Sequence, residues 1–77
     1  MTLPLAKVHL TVPPEDIFYI SWNLDACDGL GFLQTDDAKS GHVTIFAPAS
    51  MLDTLKSFIE GHIAEGINIT TDLIEEE

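Results

Sequence analysis

Residues 7–12 alternate strictly, with Val8, Leu10 and Val12 on one side and Lys7, His9 and Thr11 on the other. A period of two belongs to a strand with one buried face. Pro13-Pro14 closes it, because neither ring can donate to a ladder. Pro14 followed by Glu15 and Asp16 then suits a first helical turn, with acids near the positive end of the helix dipole. The spacing predicts a helix from there to about Ala26. Ile17, Ile20, Leu24 and Cys27 recur at helical intervals, Phe18 and Trp22 widen the stripe, and Asp28-Gly29 breaks it.

The next apolar stretch, residues 30–35, reads as a strand, and the polar turn at 36–41 joins it to a second one at 42–47. The two are expected to pair as a hairpin that Pro48 closes. Gly31 interrupts the first, which signals a bulge or another backbone packed close by. Ser50, with Asp53 three residues on, suggests an N-cap with a variant capping box. Leu52, Leu55, Phe58, Ile59, His62 and Ile63 then repeat at helical spacing, and Gly66 stands where a helix C-cap belongs. Ile67-Asn68-Ile69-Thr70 alternates as a last strand, before an acidic tail at 74–77. Residues 1–6 are read as an N-terminal extension.

This order, βαββαβ, makes two interlocking strand-helix-strand units, each with a right-handed crossover. The fold class expected is α+β, a ferredoxin-like sandwich. Its four antiparallel strands would lie in the order 4-1-3-2, with two helices on one face. The other face is left open. It is expected to carry His9, Thr11, Thr44, Phe46, Asn68 and Thr70, with Phe32 or Leu33 depending on how Gly31 shifts the register.

Composition then narrows the uses of such a fold. Seventy-seven residues accommodate one domain, 1–77, and 45% hydrophobic residues are enough for a core. Three lysines and no arginine face 13 acids, for a net charge of −10, so nucleic acid and anionic membrane are disfavoured as partners. A phosphate-binding enzyme of this fold needs a cationic cradle, which a chain without arginine lacks. The single cysteine, Cys27, forms no internal disulfide and supplies no soft-metal site, and no paired thiols follow the first strand. No apolar run suits an export signal or a membrane span, so a cytoplasmic location is expected. No residue pattern calls for a cofactor, and no enzymatic activity is expected.

The string Cys27-Asp28-Gly29-Leu30-Gly31-Phe32-Leu33-Gln34-Thr35, followed by Gly41-His42-Val43-Thr44-Ile45-Phe46-Ala47-Pro48 and an amphipathic helix, resembles a family of small bacterial domains of unknown function, DUF4911. The likeness covers roughly residues 7 to 65 and implies a small bacterial cytoplasmic domain, with no activity attached. In element order the chain is also similar to ACT-type regulatory domains, which dimerise and commonly bind a small ligand at the interface. Those domains carry a glycine-containing loop after the first strand, where this chain has Pro13-Pro14.

Against that background the expectation is self-association, as a homodimer or higher oligomer, or docking of a protein partner, through the open sheet face or an edge strand. The contacts would be His9, Thr11, Thr44 and Phe46. The alternative is an ACT-like domain that binds a small metabolite near Asp28, Gly29, Leu30 and Gly31, where glycines would let a ligand approach the backbone. His9 and His42 share the open face but lack a third ligand for a metal, so they are read as ordinary polar residues or interface contacts. His62 is expected to cap the second helix or to be partly buried. Cys27, flanked by Asp25 and Asp28, is read as a core filler. Asp36-Asp37 lacks the alternating spacing of a calcium loop. An exposed Trp22 would be an interface anchor.

Overall fold

The computed structural model describes residues 5–27 and 29–76. The alternation in the first segment sets the middle of the molecule. Ala6, Val8, Leu10 and Val12 are all buried, and their strand β1 (Leu5–Thr11) lies between two antiparallel neighbours. The remaining elements are α1 (Ile17–Ala26), β2 (Phe32–Asp37), β3 (His42–Pro48), α2 (Leu52–Ala64) and β4 (Thr70–Glu76). The sheet order is β2-β3-β1-β4, entirely antiparallel, which is the arrangement the element order implies.

Val8 and Leu10 from β1, Val43, Ile45 and Ala47 from β3, Ile20 and Leu24 from α1, and Leu52, Leu55 and Ile59 from α2 form a single cluster on one face of the sheet. Each of the larger side chains contributes about 1.5–3 kcal/mol by leaving water. Among the described residues no helix lies over the opposite face.

Two glycines hold the hairpin in place. At Gly41, with φ of +77°, a Cβ would stand 1.8 Å from the carbonyl oxygen of Val12, whose N–H donates to Gly41 O at 2.9 Å. Gly31, with φ of +149°, would place a Cβ 2.3 Å from Phe46 O. The close backbone approach foreseen at Gly31 is therefore present, and it decides the register. Phe32 pairs with Phe46 on the open face, while Leu33 pairs with Ile45 and packs against the core.

Several local expectations are corrected. Phe18 and Trp22 do not widen the buried stripe, being 72% and 68% exposed, because each is two residues from Ile20 and thus turned by about 200° of helical rotation away from it. Cys27 is exposed rather than a core filler, since α1 ends at Ala26 and the chain leaves the helix axis there. Ser50 makes no capping box: it sits within a 3-10 turn, Ala49–Met51, and α2 begins after it with no side-chain cap. At the other end Gly66 N–H donates to Ile63 O and Ile67 N–H to His62 O, the paired bonds of a Schellman stop.

The last strand is displaced furthest. Residues 67–69 lie outside it; Ile67 and Ile69 pack beside the core as the chain crosses to the sheet, and β4 starts at Thr70 and runs on through the acidic segment 74–76. Glu75 and Glu76 face Lys7 and Ala6 of β1, so Leu5 and Ala6 belong to the sheet rather than to an extension. Asn68 therefore leaves the open face, and Leu73 and Glu75 join it.

Candidate functional site

Antiparallel pairing places side chains of opposing residues side by side on one face. On the open face this aligns Gln34 with Thr44, Thr44 with His9, and His9 with Leu73. The polar groups join into a chain across all four strands. Gln34 Nε2 donates to Asp36 Oδ1 at 3.0 Å, and Thr44 Oγ1 donates to Asp36 Oδ2 at 2.5 Å. Thr44 Oγ1 lies 3.0 Å from His9 Nδ1, and His9 Nε2 lies 2.6 Å from Glu75 Oε1. Beside it, Thr11 Oγ1 donates to Asp72 Oδ2 at 2.6 Å.

The direction of the protons limits what this chain can do. Thr44 has one hydroxyl proton and gives it to Asp36, so toward His9 it is an acceptor and Nδ1 is the donor. A hydroxyl–imidazole–carboxylate relay of the nucleophilic kind needs the opposite polarity, with the imidazole accepting from the hydroxyl. Thr44 is also only 3% exposed, too enclosed to meet a substrate. The donors on Asp36, Thr44 first and Gln34 second, hold its carboxyl below the ordinary value, and those from Ser40 and from the Lys39 N–H do the same for Asp37.

The β2 edge is flanked by aromatic rings on both sides. On the open face Phe32 and Phe46 stack with centroids 5.1 Å apart, and the Lys7 ammonium lies 5.8 Å from the Phe46 centroid. Phe32 is 58% exposed. On the helix side, Pro14, Ile17, Phe18, Ser21, Leu33 and Thr35 line a groove of about 330 Å³. Phe18 in turn touches Trp22, with ring centroids 5.5 Å apart.

Ladder parity shows which backbone groups this edge exposes. Val12 N–H bonds to Gly41 O, so in the β1–β3 pairing Leu10 faces Val43 and Val8 faces Ile45 with mutual hydrogen bonds. The intervening β3 residues, His42, Thr44 and Phe46, consequently turn their N–H and C=O groups toward β2. Phe32 and Gln34 meet them, and Leu33 and Thr35 direct theirs outward from the sheet.

Of the expected contact residues, His9, Thr11, Thr44 and Phe46 share the open face, but only Phe46 belongs to an aromatic patch. Asp28 lies outside the described residues. Gly29 forms a turn in which Leu30 N–H donates to Cys27 O, Leu30 is buried, and Gly31 is pressed against Phe46, so these positions have reasons within the chain. A shallow hollow of about 410 Å³ lies beside Cys27 and Leu30. His42 shares a hydrogen bond with Ser40, apart from His9, and among the described residues no group of three His, Cys, Asp or Glu could hold a metal. His62 is buried, as one of its two readings required, with Phe58 O accepting from Nδ1 and the Asn23 amide donating to Nε2. Sequence reasoning missed Asp36 and Glu75, the carboxylates that partner Thr44 and His9, and the outward-facing edge. Continuing the alternation from Phe32 through Gln34 to Asp36 would have pointed to one of them.

Four antiparallel strands with two helices on one face, and an uncovered face crossed by a polar chain, define a ferredoxin-like α+β sandwich. Comparison with protein families matches residues 10–62 to DUF4911, a domain of unknown function. The chain belongs to that family. Neither curated proteins nor solved structures yielded a match. No helix among the described residues is long and apolar enough to cross a membrane.

Proposed function

We propose that this domain is a non-enzymatic association module, and that it receives an extended segment of another protein at the edge of β2. The observation that carries this reading is the outward N–H and C=O pair at Leu33 and Thr35, set between exposed rings on both faces. An unpaired, accessible edge is a template for strand addition, and exposed aromatics are frequent anchors of protein contacts. The proton order around Thr44 speaks against catalysis on the open face.

Two points disfavour a second copy as the occupant. Each copy carries −10, and antiparallel pairing of two β2 strands would set Asp36 and Asp37 of both along one seam. The centre of the open face also satisfies its own polar groups, which leaves little reason to bury it. Metabolite binding near Gly29 to Gly31 has weaker support, because turn and packing already account for those glycines.

The test is to select a displayed random-peptide library against the wild type and against Thr35→Pro. Proline removes an outward donor there while leaving the ladder to β3 intact, a position at which edge strands tolerate it. Peptides that bind the wild type, lose binding to the variant and slow amide exchange at Leu33 and Thr35 are expected. Enriched peptides indifferent to Thr35→Pro, with circular dichroism showing the variant folded, would overturn the reading.

A further inference from the structure

The chemistry of the incoming segment follows from the two faces of β2, given that β2 is the docking edge. A strand added there alternates its side chains, every second one falling beside Leu33 and Thr35 and the others beside Phe32, Gln34 and Asp36. On the first side lies the groove lined by Pro14, Ile17, Phe18 and Ser21, about 330 Å³ and mainly hydrocarbon, which suits aliphatic side chains. On the second side stand the open Phe32 ring and the exposed carboxylate of Asp36.

The geometry points to an extended, alternating segment of another protein, with apolar residues turned to α1 and lysine or arginine turned to Phe32 and Asp36. Each Asp36 oxygen accepts one in-chain bond and retains a lone pair for a further donor. The same aromatic stack already accommodates one cation, Lys7 over Phe46, and Phe32 offers the ring still open. Asp37 adds a second negative charge on β2, against the single cation Lys39 in the turn beyond it. The net charge of −10 steers a basic segment toward the domain and repels an acidic one. The other edge, β4, is the poorer template, because its register breaks in mid-strand opposite His9 and Leu10, whereas the irregularity in β2 falls at Asp36, after the outward-facing Leu33 and Thr35.

Four synthetic peptides of equal length test this: alternating Lys-Val, alternating Ser-Val, alternating Glu-Val, and a block peptide with all lysines before all valines. Titration calorimetry and amide chemical shifts are read on wild type, Asp36→Asn and Thr35→Pro. Asparagine retains an acceptor for Thr44, and the Gln34 amide can turn its own oxygen toward the new NH2, so Asp36→Asn chiefly removes charge. Alternating Lys-Val is expected to bind roughly tenfold more tightly than Ser-Val, with Glu-Val weaker still. Asp36→Asn should erase that advantage, and Thr35→Pro should weaken both alternating peptides by at least about tenfold. Equal binding of Lys-Val and Ser-Val, both lost in Thr35→Pro, overturns the basic preference and leaves the edge reading standing. Equal binding of block and alternating peptides, indifferent to Thr35→Pro, reveals diffuse attraction and overturns both. Absence of peptide binding overturns the inference. If sedimentation then shows a dimer with protected Leu33 and Thr35 amides, the occupant is a second copy.

Discussion

Asp36 stands almost in water, yet Thr44 and Gln34 donate to both of its oxygens and hold its carboxyl below the ordinary 3.8, with His9 and His42 adding a smaller attraction. A carboxyl lowered in the folded chain adds stability above the unfolded value, and this is lost as pH falls through the folded one. Urea unfolding followed from neutral pH into the carboxylate range should therefore show Asp36→Asn losing less stability in acid than the wild type. Coincident acid limbs would mean that the two hydrogen bonds do not favour the ionised form. This part of the site was only half legible. His9 and Thr44 could be placed on one face from the alternation in their own strands, but Glu75 is 66 residues from His9, and nothing local pairs them.

Among the elements, β2 makes the sharpest distinction between neighbouring residues. Gln34 bonds inward to β3 and Thr35 directs its N–H outward, so proline should act oppositely at the two positions. Gln34→Pro is expected to lose about 1–3 kcal/mol by orphaning a ladder group. Thr35→Pro should stay within about 1 kcal/mol of the wild type, as checked by chemical denaturation. Equal losses would place the outward donors elsewhere. The strands β1 and β3 were readable because alternation and burial coincide in them. The final strand was not: residues 67–70 alternate as well as a strand does, whereas 74–77 read as an acidic tail. Partner availability decides between them, since only a segment lying along β1 can fill the sheet's open edge, and the chain spends 67–69 crossing to it. The exposed aromatics on α1 follow a similar logic. Their composition suggests core, and the rotation about the helix axis puts them outside.

At the scale of the whole molecule, 13 acids repel one another against three lysines, and among the described residues no lysine lies within ion-pair distance of a carboxylate, the one such contact being between the His9 imidazole and Glu75. Salt should therefore stabilise the fold by screening, and the melting temperature should rise as sodium chloride is added. A fall would mean that attractive pairs outweigh the repulsion. The sequence by itself determined the order of elements, the face each central strand buries and the net charge of −10, because these depend on local periodicity and on composition that folding cannot change. Tertiary structure alone decided which residues form the last strand, where Phe18 and Trp22 point, which way the proton on Thr44 goes, and that Leu33 and Thr35 turn their hydrogen-bonding groups out of the sheet. These properties depend on which strands lie side by side and in what register, and a register is shared between segments far apart in the chain.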